Sequence, residues 1–195
     1  VGPQGADEGR GRALICLVGM PGSGKSTVGR HVARDIGQPF IDTDHVIEQR
    51  IGCSIREYFE TQGEQAFRDV EQTVVEEVMQ LDRHVIATGG GAVLREANRQ
   101  VLHDRGVVLY LRSTPEDLAR RLRHDSHRPL LQGGSDPLRR LRTLFQDRDP
   151  LYLRTAHFVI ETGRPSVHSL VNMVMMQLEL AGVIPAAAVP TRPRP

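Results

Sequence analysis

The chain has 195 residues, 39% of them hydrophobic, which is enough to bury one good core and fits one domain more readily than two. Its 25 basic and 24 acidic residues leave a formal charge of +1, so no global field draws nucleic acid or an anionic membrane to it. No apolar run approaches the roughly 20 residues of a bilayer span, and the two cysteines have neither metal spacing nor a disulfide framework, which fits a reducing cytoplasm.

Taken in chain order, residues 1–12 lack an apolar stretch and read as a flexible arm. Residues 13–18 (ALICLV) read as a buried strand, 28–34 as a helix, and between them lies GMPGSGKST, residues 19–27. That order is what a phosphate-binding P-loop requires: a strand delivers the glycines and a helix begins where its unpaired N–H groups face an anion. Gly22, Ser23, Gly24, Lys25, Ser26 and Thr27 are therefore the expected cradle for ATP, with Lys25 on the β- and γ-phosphates and the Ser26 hydroxyl on Mg²⁺. Lys25 is also the only lysine in the chain, arginine serving as the side-chain cation everywhere else. A tight loop that needs a compact ammonium explains the exception.

Gly37 ends the first helix, and residues 39–44 (PFIDTD) read as a short strand with an acidic end. Asp42 and Asp44 stand two apart, so a pleat would point both to one side, towards the crevice the P-loop faces. Asp42 is then expected beside the metal. Asp44 either faces the acceptor hydroxyl, as orienter or proton acceptor, or serves only as an N-cap for the next helix. Residues 46–50 begin that helix, Ser54 and Glu57 form a capping-box pattern for another, and Gly63 breaks it. From residue 64, Phe67, Val70, Val74 and Val78 fall at helical spacing to about residue 81. Arg68, between Glu64 and Glu71, is at this level open between a solvated ion-pair strip and a ligand.

Residues 84–88 read as a third strand, ending in Gly89, Gly90 and Gly91, which are either a plain strand exit or a place where a ligand approaches the backbone closely. A fourth strand over 107–111 leads to a helix over 114–123, opened by Thr114 and Pro115. Residues 124–135 have no period and read as a mobile loop; a helix over 137–146, a fifth strand over 158–160 and a closing helix over 167–180 follow, then a proline-rich tail over 184–195. Arg128 lies in the aperiodic loop and Arg148 after a helix, each by itself an ordinary surface arginine. Five strands separated by helices predict an α/β fold, a three-layer arrangement of five parallel strands with helices on both faces, and ligands over the strand C-termini.

In their order, GMPGSGKST, the DTD of residues 42–44, the FRDVE of 67–71, the TGGG of 88–91, the RPLL of 128–131 and the RDPLY of 148–152 resemble the shikimate kinases, over nearly the whole of residues 13–183. The resemblance implies a P-loop kinase of the nucleoside monophosphate kinase-like fold that transfers the γ-phosphate of ATP to the 3-hydroxyl of shikimate, in the route to chorismate and the aromatic amino acids. It implies that Asp44 holds ring hydroxyls, that Arg68 and Arg148 take the substrate carboxylate, and that Gly89, Gly90 and Gly91 offer backbone to the ring. Arg128 would close over the phosphates on a lid at about 124–135, and Arg121 and Arg164 would meet the adenine. The expected partner is the small molecule alone, with no nucleic acid or membrane, and the chain is expected to act as a monomer. A gluconate kinase would share the P-loop but not the DTD, FRDVE and TGGG set. A GTP-binding switch would need an N-K-x-D motif, which a chain with its one lysine in the P-loop cannot carry.

Overall fold

The computed structural model describes residues 13–122, 136–163 and 165–186. Its centre is a five-stranded sheet in the order β2-β3-β1-β4-β5, with every neighbouring pair parallel. The strands are β1 Leu14–Val18, β2 Phe40–Asp42, β3 Val85–Ala87, β4 Gly106–Arg112 and β5 Phe158–Glu161. Between them run α1 Lys25–Ile36, α2 Thr43–Ile51, α3 Ile55–Gln62, α4 Glu64–Val78, α5 Glu96–Arg105, α6 Pro115–Leu122, α7 Pro137–Thr155 and α8 Val167–Leu180. The expected α/β architecture of parallel strands wrapped on both faces is the one observed.

The layers follow from the pleat. Ile15 and Leu17 of β1 and Leu109 and Leu111 of β4 point to one face, where they pack with Val28 and Val32 of α1 and Val171, Val174 and Leu178 of α8. Leu14, Cys16 and Val18 alternate with them and join Val108, Tyr110, Val74, Val78 and Leu102 on the other face. A strand buried on both sides has no polar alternation, which is why its sequence reads as an unbroken apolar run. Burying each of these side chains fully is worth about 1.5–3 kcal/mol, so the sheet is the rigid part on which the loops at its C-terminal edge are mounted. No helix among the described residues is long and apolar enough to cross a membrane.

Three features differ from the sequence expectation. The segment between the triple glycine and β4, to which the sequence reading assigns no element, holds a 3-10 turn at Ala92–Leu94 that leads into α5, which buries only Asn98 and Leu102 and so carries almost no amphipathic signal. Asn98 stabilises it locally by donating from its side chain to the Ala92 carbonyl at 3.0 Å. Second, α2 starts at Thr43, directly after the strand, and Asp42 is its N-cap, accepting from the Asp44 N–H at 3.0 Å. Asp44 thus sits in the first turn of a helix, not on a pleat. Third, α7 continues to Thr155 through Pro150, so Arg148 lies inside a helix and not after one. A proline in a helix interior is a breaker by local chemistry, and tertiary anchors at Asp149 and Tyr152 carry the helix past it.

Candidate active site

β1 ends at Val18 and the chain turns back on itself through Gly24, whose φ of 93° lies in the left-handed region that favours glycine. Gly24 is the N-cap of α1 and gives it no side-chain cap, so the first amides of the helix are left to an external acceptor. Lys25 is 8% exposed and its Nζ donates to the carbonyls of Gly19 at 2.8 Å and Met20 at 2.9 Å. The Ser23 hydroxyl is buried with no hydrogen-bond partner among the described residues. Gly24 and Lys25 line a cleft of about 250 Å³ whose walls include Gly22, Ser26, Thr27, Asp42, Asp44, Thr88 and Gly90.

The donor set at one end of this cleft suits a hard divalent cation. The Ser26 hydroxyl donates to Asp42 Oδ2 at 2.5 Å, so a hydroxyl and a carboxylate oxygen are already side by side. Among the described residues no group of three or more His, Cys, Asp or Glu side chains could hold a metal by itself. Two protein oxygens supplemented by phosphates and water are the usual environment of Mg²⁺, and these residues fit it.

Asp44 faces the same cleft, with its pKa pushed up to about 6 by burial first and by the Asp42 and Glu71 carboxylates next, while Lys25 pulls the other way. It therefore senses the phosphate cradle and α4 at once. Glu71 is 1% exposed along its side chain and accepts from Arg68 Nη1 at 2.6 Å. Burial still raises the Glu71 pKa despite that partner. Arg68 is itself almost wholly buried, over the rings of Phe67 and Phe59 at 5.1 and 5.8 Å from their centroids. Its Nε lies 3.5 Å from Glu64 Oε1, within ion-pair range but without a hydrogen bond. The solvated strip that spacing alone allowed is thus replaced by a buried pair, whose desolvation makes it a poor source of stability.

The three glycines after Thr88 are each required by a different neighbour. A Cβ on Gly89 would stand 2.5 Å from Asp44 Oδ1 and 3.2 Å from Glu71 Oε2; one on Gly90 would stand 2.7 Å from Pro21 Cδ of the P-loop; one on Gly91 would run into the Arg68 guanidinium. The turn is held from below by Gly89 N–H donating to Thr43 Oγ1 at 3.1 Å and from above by the Tyr152 hydroxyl donating to the Gly90 carbonyl at 2.6 Å. Arg148, half-buried on α7, lies close enough to Tyr152 and to Glu71 to favour the charged form of each. Burial pushes the Tyr152 phenol up to about 12, with Arg148 and then Arg68 opposing it.

Lys25, Ser26, Asp42, Asp44 and Gly90 thus line one cleft, and Arg68 lies against Gly91 next to its Gly90 wall, with Arg148 near Glu71 and Tyr152. Arg121 stands 3.4 Å from the carbonyls of Gly22 and Ser23 and equally close to Thr162 Oγ1 and the Gly163 carbonyl. Arg128 and Arg164, and the segment 124–135 read as a lid, lie outside the described residues. Sequence reasoning gave no role to Glu71, Thr43 or Tyr152. Glu71 and Tyr152 sit in the quoted FRDVE and RDPLY stretches, whereas Thr43 carried no signal beyond standing between two acids.

Comparison with known proteins adds an independent line. The family model described as shikimate kinase matches residues 21–179. The chain is 58% identical over 174 residues to a shikimate kinase of Paracidovorax citrulli, covering 88% of this chain and 94% of that protein. It is 55% identical over 170 residues to one of Burkholderia thailandensis, covering 87% and 92%. Among solved structures, shikimate kinase from Acinetobacter baumannii in complex with shikimate superposes with a TM-score of 0.81 at 42% identity, over 88% of this chain and 95% of that one.

Proposed function

Because the chain belongs to the shikimate kinase family, we propose that the groove joining the P-loop to Arg68 and Arg148 is where it passes the γ-phosphate of ATP to the 3-hydroxyl of shikimate. The enzyme is an ATP-dependent phosphotransferase with an alcohol acceptor. The observation that carries the site assignment is the Gly90 turn, which touches Pro21 of the phosphate cradle on one side while its neighbours touch Asp44 and Arg68 on the other.

In this reading Gly22, Ser23, Gly24, Lys25, Ser26 and Thr27 hold the triphosphate, and Arg121 and Arg164 flank the adenine. Lys25 shifts its ammonium from the loop carbonyls onto the β- and γ-phosphates, where it offsets charge on the transferring group. Ser26 and Asp42 hold Mg²⁺, which when bound neutralises phosphate charge. Arg68 and Arg148 grip the carboxylate of shikimate, since two planar guanidiniums match its two oxygens, and the triple glycine lets the ring lie against backbone. Asp44 orients the acceptor hydroxyl and takes its proton as the oxygen attacks the γ-phosphorus. The new O–P bond forms while the bond from that phosphorus to the β–γ bridging oxygen breaks, and ADP leaves with the electron pair. Arg128 closes over the phosphates and excludes water.

The reading carries with it a single kinase domain over 13–183 with a lid at about 124–135, acting as a monomer in the cytoplasm. A coupled ADP-release assay with shikimate, gluconate and nucleoside monophosphates tests the reading. Turnover on shikimate alone is expected; preference for another acceptor overturns it.

A further inference from the structure

One residue beyond Arg148, α7 carries a carboxylate that is held by the sheet. Asp149 accepts from Arg112 through two parallel bonds, Nε to Oδ1 at 2.9 Å and Nη2 to Oδ2 at 2.9 Å, and from the Tyr110 hydroxyl at 2.8 Å. Both donors belong to β4. Arg112 is fixed from two further sides, by Glu161 of β5 at 3.1 Å from its Nη1 and by the Phe145 ring, whose centroid lies 5.6 Å from the guanidinium carbon. Tyr110 packs against Tyr152 with ring centroids 4.8 Å apart. Residues 145, 149 and 152, spaced by four and three, form one stripe of α7, so that stripe is tied to β4 over two turns.

The tie acts where the helix is least able to set its own geometry. Pro150 has no N–H to give to the carbonyl four residues back, so this turn lacks part of its ladder. A bidentate guanidinium–carboxylate pair fixes rotation as well as distance. Arg148, about 100° round the helix from Asp149, is thereby turned towards Tyr152 and Glu71.

We propose that Asp149 is a positioning residue for the phosphoryl acceptor, with Arg112 as its anchor. The pair sets the rotation of α7, and so holds the Arg148 guanidinium where it and Arg68 can share one carboxylate. This rests on the reading of Arg148 given above. A brace that served only folding would weaken both ligands alike and would not depend on the side chain at 148.

The test is a double-mutant cycle of Asp149→Asn and Arg148→Ala in the full chain, with kcat and the KM for shikimate and for ATP measured for each variant. Asp149→Asn is expected to raise the shikimate KM about tenfold, to keep the ATP KM within about twofold, and to add less than about twofold once residue 148 is alanine. An equal factor in both backgrounds, or a parallel rise in the ATP KM, overturns the proposal. If Arg148→Ala leaves the shikimate KM unchanged, the reading of Arg148 fails, and the proposal with it. Arg112→Lys keeps the charge but loses the parallel bonds, with about a threefold rise expected. It runs the same cycle, with the same criteria, if Asp149→Asn does not fold.

Discussion

Burial, then Asp42 and Glu71, lift the pKa of Asp44 from 3.8 to about 6, and the sign of that shift has two consequences. A carboxyl whose folded pKa is raised binds its proton more tightly in the folded state, so the folded state gains stability as pH falls from about 6 towards 4. Above that window the charged form is a standing penalty. Asp44→Asn removes the charge, so its melting temperature should exceed that of the native chain by about 3 °C or more at pH 7.5 and match it near pH 4, while turnover is lost. Calorimetry at the two pH values checks this; an unchanged or lower Tm at pH 7.5 contradicts it. The same group should give kcat/KM of the native enzyme an acid limb near pH 6, measured in a steady-state pH profile. Lys25→Ala removes the ammonium to which the proposed function gives the offsetting of phosphate charge. A fall in kcat of about a thousandfold or more is expected, with an unchanged far-UV spectrum.

At the scale of elements, the turn after β3 is the most constrained piece of backbone in the groove, and its glycines are not equivalent. Gly91→Ala puts a methyl group against the Arg68 guanidinium, which Glu71 holds and two rings cover. The guanidinium must move, so the shikimate KM should rise by about tenfold or more while the ATP KM stays within about twofold, as initial-rate kinetics would show. The same elements show what was legible in the chain itself. The P-loop was readable because its chemistry is local: a strand, glycines, a lysine and a helix in one run. Asp42 and Asp44 were readable as a pair but not in their geometry, because the cap that starts α2 at Thr43 competes with the pleat and wins. Helix α5 was missed because its buried face is only Asn98 and Leu102, too little to show a period. Arg148 was set outside the helix read over 137–146; the bonds from Arg112 and Tyr110 that carry α7 past Pro150, a breaker by itself, come from residues nearly forty positions away. The burial of Arg68 and Glu71 was illegible for a similar reason: spacing within a helix says nothing of which neighbours cover it.

For the whole molecule, the proposed function places both ligands at the C-terminal edge of the parallel sheet, with β1 leading into the phosphate side and β2 and β3 into the acceptor side. The two halves meet at few points, chiefly Pro21 against Gly90 and the Asp44 carboxylate. Stabilisation by each ligand should therefore be separable. Saturating shikimate should raise the melting temperature of the native chain by about 3 °C or more, and that gain should vanish in Arg68→Ala while the gain from ATP and Mg²⁺ is kept. Thermal shift with each ligand alone measures both, and loss of the two gains together would mean that Arg68 supports the fold and not the acceptor.

The buried ammonium at residue 25 has a further use. With every other basic side chain a guanidinium or an imidazole, acylating reagents meet a single side-chain amine in this chain, and it lies at the floor of the cleft. A succinimidyl ester slow enough to react only when that amine leaves the Gly19 and Met20 carbonyls would count those excursions directly, one Lys25 adduct per inactivated molecule, once peptide mapping has set aside acylation of the α-amine.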